Sequence, residues 1–370
     1  MQGRSKAVFI SAGVLRRPAF TGLHPLAISR LGAVEDFCRA LGWLDEEAYQ
    51  ECAAADRQTL LRFHDADYLE ALYAAQARAG AVKADRERYN FGTMENPVFA
   101  GFADRAATTV GGAIIAAQYA LGGGVGVHFG GGTHHGKRDR ASGFCYLNDP
   151  VFAVMSLLDG GHRRVAYIDL DAHHGDGVEV AFAGDERVLI ASIHEQNRWP
   201  NTGPAGRTPG GNAVNAPVPK DFCDSELDYL WGHWLSPMIE RFAPESIVLT
   251  CGADALHGDP LSTMSLSNVA LQNAVCAIIA HAPGAVILGG GGYNPWTTVR
   301  AWTGLWGRVA GALPPHELPE IVRVQLAGFT CDLVDDDEIQ ETWLTSLYDA
   351  PGAGPVRDEV KELTHFLRVS

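Results

Sequence analysis

Ile168-Asp169-Leu170-Asp171-Ala172-His173-His174-Gly175-Asp176-Gly177 decides the fold of this chain. The residues leading into it, Arg164-Val165-Ala166-Tyr167-Ile168, are nearly continuous in apolar character, as suits a parallel strand covered by helices on both faces. Sheets of that kind carry ligands at the carboxyl ends of their strands. The D-x-D-x-H-H-G-D-G run therefore delivers several metal-capable side chains to one strand end, a pattern of metal-assisted hydrolysis and not of packing.

Outward from this strand, helices and strands alternate. Helix 146–159, strand 164–170, helix 177–183, strand 187–193, helix 226–242, strand 246–251, helix 267–281 and strand 284–288 are expected in turn, which predicts a parallel sheet with crossover helices. Upstream, helices are expected at 26–42 and 47–63, and His64-Asp65-Ala66-Asp67-Tyr68-Leu69 opens another. Residues 101–121 combine helical spacing with many small side chains, the mark of a helix packed closely on a sheet. Strand 125–128 follows and leads into Gly130-Gly131-Gly132-Thr133-His134-His135-Gly136. The segment 194–222, rich in Gly, Pro and Asn, reads as a long loop forming a wall or lid. No linker divides the chain, so a single domain is expected over 1–370, with its motifs between about 20 and 310 and an extension at 311–370. In that extension the acidic run Asp335-Asp336-Asp337-Glu338 reads as a solvated loop or helix start.

Composition bounds the function. The chain has 370 residues, 46% hydrophobic and 20% charged, enough for a deep core. Its net charge of -15 opposes a nucleic-acid partner, which would need clustered Lys and Arg, and suits a cationic substrate or basic peptide, or solubility alone. Seven cysteines without a C-x-x-C pair suggest neither a disulfide framework nor a thiolate zinc site. No apolar run approaches the roughly 18 to 20 residues of a membrane helix, and MQGRSKAVFISAGV lacks the apolar core of a secretory signal, so a cytoplasmic protein with no membrane partner is expected.

Four polar clusters fall at strand ends: His134-His135, Asp169 to Asp176, Cys251-Gly252-Ala253-Asp254 and Gly289-Gly290-Gly291-Gly292-Tyr293. Asp171 and His173 alternate, so both point to one face, and Asp254 can arrive from a neighbouring strand. Two carboxylates and one imidazole leave an open coordination position, as catalytic sites do and structural ones do not. Because two carboxylates neutralise much of a divalent ion's charge, a separate general base is needed. His134 and His135 are the candidates, with Asp169 and Asp176 to orient them and to raise their pKa values. Tyr293, after four glycines, can offer its hydroxyl to a developing oxyanion.

The motifs GGGTHHG (130–136), ASGFCYLND (141–149), YIDLDAHHGDGVEVAF (167–182), CGADALHGDPL (251–261) and LGGGGYNPW (288–296) resemble the zinc-dependent histone deacetylase superfamily. They are most similar to its class I-like bacterial branch, the acetoin-utilisation proteins. The resemblance implies an arginase/deacetylase α/β fold with a central eight-stranded parallel sheet, and hydrolysis of N-ε-acyl-lysine. It implies Asp171, His173 and Asp254 as ligands of zinc, with ferrous iron the alternative. His135 then matches the general base and acid, His134 an electrostatic histidine, Asp169 and Asp176 their partners, and Tyr293 the oxyanion donor. Gly143, Phe144, Trp199, Leu261 and Gly291 match the acyl-lysine tunnel, with Trp199 where phenylalanine is usual, and Arg30 matches an arginine of an internal acetate-release cavity. A structural potassium ion is implied at Asp169, Asp171, His173, Ser192 and Ile193. For a second cation site the departure is Asn212, which stands where an aromatic is usual, and Glu95 stands where an aspartate usually grips the substrate backbone.

Three other functions compete. A ureohydrolase would need a second metal, but Gly175 and Leu256 stand where its further aspartates belong. A non-catalytic acyl-lysine binder would be expected to lose Tyr293, His135 or a metal ligand, and none is lost. An acetylpolyamine amidohydrolase needs an acidic rim, where the sequence offers Glu95 opposed by Arg198. Acyl-lysine is therefore the expected substrate, sheathed by Phe144 and Trp199.

Overall fold

The computed structural model describes residues 7–18, 20, 24–315 and 317–369. Residues 1–6, on which part of the signal-sequence expectation rests, lie outside the described residues. Among the described residues nine strands form one sheet: β1 (Ala7–Ser11), β2 (Tyr49–Glu51), β3 (Val125–His128), β4 (Val165–Asp169), β5 (Val188–Glu195), β6 (Gly206–Arg207), β7 (Ala213–Val218), β8 (Ser246–Thr250) and β9 (Gly284–Leu288). Their order is β2-β1-β3-β9-β8-β4-β5-β7-β6. Eight run parallel, and only the two-residue β6 pairs antiparallel, with β7.

Alternation along β4 builds both cores at once. Ala166 and Ile168 face a layer containing Phe37, Trp302 and Trp306, whereas Val165 and Tyr167 face a layer containing Val110 and Phe152. The small residues of helix Phe102–Leu121 bring its backbone close to its neighbours: a Cβ on Gly111 would lie 1.9 Å from the Ala53 carbonyl oxygen. The expected 226–242 helix is continuous but widens to a π turn over Trp231–Leu235, just before Pro237, whose ring nitrogen has no hydrogen to donate.

Three expectations need correction. Residues 47–63 are not one helix but β2 followed by the short helix Arg57–Leu60, capped by Asp56 accepting from the Thr59 amide at 2.8 Å. Pairing of Tyr49 and Gln50 with Phe9 and Ile10 of β1, a strand the periodicity did not reveal, overrides local helical preference. The first helix begins at Leu31 instead of 26. The segment 194–222 is not all loop, since it contains β6 and β7.

Residues beyond 311 fold back onto this core. Buried Arg300 pairs with Asp349 at 2.7 Å, Arg357 pairs with Glu226 at 2.6 Å, and the Gly352 amide donates to Asp224 at 2.7 Å. Helix Asp358–Val369 then packs on β6 and β7. The acidic run is an exposed turn, as expected. Among the described residues no helix is long and apolar enough to cross a membrane.

Candidate active site

Strand register concentrates the polar loops. His128, Leu288, Thr250, Asp169 and Ser192 are cross-strand partners in a row, the first four at the carboxyl ends of β3, β9, β8 and β4 and Ser192 within the longer β5. The loops that leave these ends carry His134-His135, Tyr293, Asp254 and Asp171 to His173 to the same edge.

There Asp171, His173 and Asp254 converge, all buried, with ligand atoms within 4.8 Å of one another. His173 Nδ1 lies 2.8 Å from Asp254 Oδ2 and 3.3 Å from Asp171 Oδ1. Backbone amides fix both carboxylates: Gly291 donates to Asp171 at 2.6 Å and Ala172 to Asp254 at 3.1 Å. Position 291 must be glycine, because a Cβ there would lie 2.1 Å from Asp254 Oδ2. Burial disfavours charge on His173, but its bonds to Asp171 and Asp254 outweigh burial and raise the imidazole to about 10. A proton on that ring offsets part of the negative charge the two buried carboxylates would concentrate there, and burial together with Asp171 also holds Asp254 above the usual carboxylate range. A divalent cation fits the same donor set, one imidazole and two carboxylates, and leaves a position open.

Beside this triad stand two His-Asp pairs, their imidazole centroids 4.0 Å apart. His134 Nδ1 meets Asp169 Oδ2 at 2.7 Å, and Asp169 also accepts from the Tyr167 hydroxyl at 2.7 Å. His135 Nδ1 meets Asp176 Oδ1 at 2.9 Å, while the other oxygen of Asp176 binds Lys137. The expectation that both imidazoles are raised fails for one of them. Despite burial, Asp169 and Asp171 lift His134 to about 9, whereas burial and then the adjacent His134 charge push His135 down to about 3. The two neighbouring rings are thus shifted in opposite directions.

Above them opens a cavity of about 400 Å³. Phe144 stands edge-on to Tyr293 at 6.0 Å, and Trp199 stands edge-on to His135 at 4.6 Å. Phe144 is held at φ 67° and Gly143 at φ 54°, and a Cβ on Gly143 would lie 2.4 Å from the Trp199 ring. Leu261 lines the same cavity. Glu95 also lines it, but its oxygens accept from the Gly143 amide at 2.6 Å and from Asn90 at 3.1 Å, so the carboxylate braces the Gly143-Phe144 turn. Arg30 is elsewhere: it donates to the Gly290 and Gly292 carbonyls at 3.0 and 3.2 Å and lines a second cavity of about 90 Å³, which shares Phe144 with the first.

The histone deacetylase domain matches residues 24–309. This chain belongs to the histone deacetylase family. It is 33% identical to the acetoin utilization protein AcuC of Bacillus subtilis over 328 residues, 85% of this chain and 84% of that protein. It is 31% identical to histone deacetylase 8 of Xenopus tropicalis, covering 79% of this chain and 80% of that one. A crystal structure of a histone deacetylase homologue from Aquifex aeolicus superposes with a TM-score of 0.91 at 33% identity, covering 98% and 99% of the two chains. The arginase/deacetylase fold is thereby shown.

This deacetylase-family chain departs from a binuclear ureohydrolase in its geometry as well as its residue types. A Cβ on Gly175 would sit 2.3 Å from Asp169 Oδ2, Leu256 is buried among apolar residues, and Asp171, His173 and Asp254 form the one such metal-capable group among the described residues. At the expected potassium site, Ser192 is the register partner of Asp169 and its Oγ lies 2.8 Å from His194 Nδ1, while Ile193 is buried and has only its backbone to offer. Asn212 is informative. Its amide nitrogen faces the carbonyls of Phe182, Val188 and Asp185 at 2.8, 3.0 and 3.3 Å, and its oxygen accepts from the Gly184 amide at 3.0 Å. Those three carbonyls already have an internal donor.

Sequence reasoning missed Lys137, Asp259 and Glu195. Lys137 is two residues past His135, a spacing that could have signalled a partner for Asp176. Asp259 accepts from the Tyr293 amide at 2.7 Å and the Leu261 amide at 2.9 Å, joining two walls of the cavity, and nothing local marks it.

Proposed function

We propose that this chain, acting as one domain, hydrolyses the amide of an acylated lysine side chain or a similar acylated amine. Asp171, His173 and Asp254 would hold zinc, or ferrous iron in its place, and Asp169, Asp171, His173, Ser192 and Ile193 would hold a structural potassium ion. The observation that carries the reading is the placement of an open three-ligand set beneath an aromatic-walled cavity, between neutral His135 and the Tyr293 side chain. The divalent ion, when bound, supplies polarisation of the acyl carbonyl and acidification of water.

The remaining work falls to side chains. His135 gives its Nδ1 hydrogen to Asp176 and so keeps Nε2 as the acceptor, taking a proton from the attacking water and returning it to the leaving amine. Lys137 and His135 keep Asp176 ionised, burial notwithstanding, with a pKa of about 2. His134, whose pKa, despite burial, its carboxylate partner Asp169 raises, would when protonated favour negative charge accumulating on the reacting carbon's oxygens. Tyr293 is held protonated, since burial and then Asp254 and Asp171 raise its pKa well above the ordinary phenol value, and it donates to the carbonyl oxygen as that oxygen gains charge. Phe144 and Trp199 flank an apolar stem.

A relative of this fold, with a TM-score of 0.90 and 34% identity, has been solved in complex with SAHA. Acetylpolyamines would call for unengaged negative charge at the mouth. Both oxygens of Glu95 already accept from internal donors, and Arg198 is paired with Glu195. The test compares kcat/KM on an acetyl-lysine peptide and on acetylputrescine. Preference for the peptide is expected, and a tenfold or greater preference for acetylputrescine would overturn the substrate assignment.

A further inference from the structure

Two loops form one side of the cavity. One follows β5 and carries Arg198 and Trp199; the other follows β8 and carries Pro260 and Leu261. In the sheet β5 and β8 are separated by β4, so their ends lie roughly 9 to 10 Å apart and no ladder hydrogen bond joins the loops. The Glu195 carboxylate does. Glu195 is the last residue of β5, and its side chain is 6% exposed. One oxygen accepts from Arg198 Nε at 2.8 Å and the Thr263 amide at 2.9 Å; the other accepts from Arg198 Nη2 at 2.8 Å and the Thr263 hydroxyl. Every acceptor direction of a buried carboxylate is filled, half by each loop. Thr263 is itself anchored, its carbonyl accepting from the Asp221 amide at 2.8 Å.

The consequence falls on the two residues beside the clamp. Trp199 directly follows Arg198 and packs on His135, while Leu261 precedes Thr263 by two residues and hangs from Asp259. Trp199 already abuts Gly143, so release of Arg198 lets the indole move only outward. We propose that Glu195 is a positioning residue that sets the bore of the cavity mouth and thereby selects a slender polymethylene stem over a rigid, ring-bearing one. This inference rests on the amidohydrolase reading above.

The experiment uses the full chain loaded with zinc and two matched peptides. One carries acetyl-lysine; the other carries acetylated 4-aminomethyl-phenylalanine, which places a ring where the methylenes were. The wild type is expected to favour the lysine stem. Glu195→Gln and Arg198→Met should each narrow that preference by about tenfold, through a higher KM for acetyl-lysine with kcat changed by no more than about threefold. Unchanged selectivity in both variants, or a fall in kcat with KM intact, overturns the proposal and leaves the amidohydrolase reading standing. A wild type that hydrolyses neither peptide overturns both this proposal and the assignment of acyl-lysine as substrate. If Glu195→Gln does not fold, Thr263→Val, which removes one donor, carries the same comparison with a smaller expected change.

Discussion

Removing the Tyr293 hydroxyl separates catalysis from folding in a single oxygen atom. The Tyr293 backbone is fixed by its amide on Asp259 at 2.7 Å and its carbonyl facing Cys331 Sγ at 3.6 Å, and its ring stands edge-on to Phe144 and His173 at 6.0 and 6.3 Å. None of these contacts uses the hydroxyl. Tyr293→Phe keeps them all, so unfolding free energy should change by less than about 0.5 kcal/mol. Loss of one oxyanion donor costs about 2.7 to 4 kcal/mol of transition-state stabilisation, which is about 10² to 10³ in kcat, with KM little changed because the charge it meets develops only during reaction. The pH profile adds a second signature. Since burial and the nearby carboxylates keep the phenol protonated far above neutrality, the variant should lose rate uniformly across pH 6 to 9 and should not lose an alkaline limb. The assay is steady-state hydrolysis of an acetyl-lysine peptide over that range, alongside thermal melts and metal analysis of the same preparation. Turnover within about fivefold of wild type, with metal content intact, would refute the oxyanion role.

Metal analysis after removal of loosely bound ions should give close to one divalent equivalent per chain, and Asp254→Ala should abolish it; two equivalents, both needed for activity, would refute the three-ligand site. His64 should make stability depend on acid. It is buried, its Nε2 accepts from the Asn148 amide at 3.3 Å and its Nδ1 faces the Arg138 carbonyl at 3.2 Å. Burial lowers its pKa from 6.5 to about 4, so the unfolded chain takes up a proton first as pH falls. The contribution is complete above pH 6.5 and is lost between about 6.5 and 4, by about 3 kcal/mol in all. His64→Gln should flatten the slope of urea midpoint against pH in that window; an identical slope in wild type and variant would refute the assignment.

The sequence made the centre of this molecule readable and its edges obscure, for physical reasons. β4, β5, β8 and β9 are buried on both faces, so their residues are apolar almost without interruption, and the ligands sit where those runs stop. β2 and β7 lie toward the margins of the sheet, where the polar Gln50 and buried Asn215 and the ring of Pro217 interrupt the apolar run that would have marked a strand. Site residues defined by chemistry alone, such as Asp171, His173 and Asp254, could be named in advance. Residues defined by what they brace could not. Asp259 and Glu195 each join segments distant in sequence, and Glu95 proved to brace Gly143 instead of standing free at the rim. The opposite pKa shifts of His134 and His135 were equally out of reach, because each ring has an aspartate and only the fold brings Asp171 beside His134 as a second carboxylate and sets the two rings 4.0 Å apart.

The ion pair between Arg357 and Glu226 spans 131 residues of chain, and the helix it introduces covers β6 and β7, next to the loop that carries Trp199. Until helix Asp358–Val369 docks, that margin of the sheet lacks the cover this helix supplies. Loss of the Arg357–Glu226 pair should therefore speed hydrogen exchange in β6 and β7 while the central strands stay protected. A partly opened form of that kind exposes apolar surface, so aggregation during expression should rise when Arg357 is neutralised, although Arg357 touches no catalytic side chain.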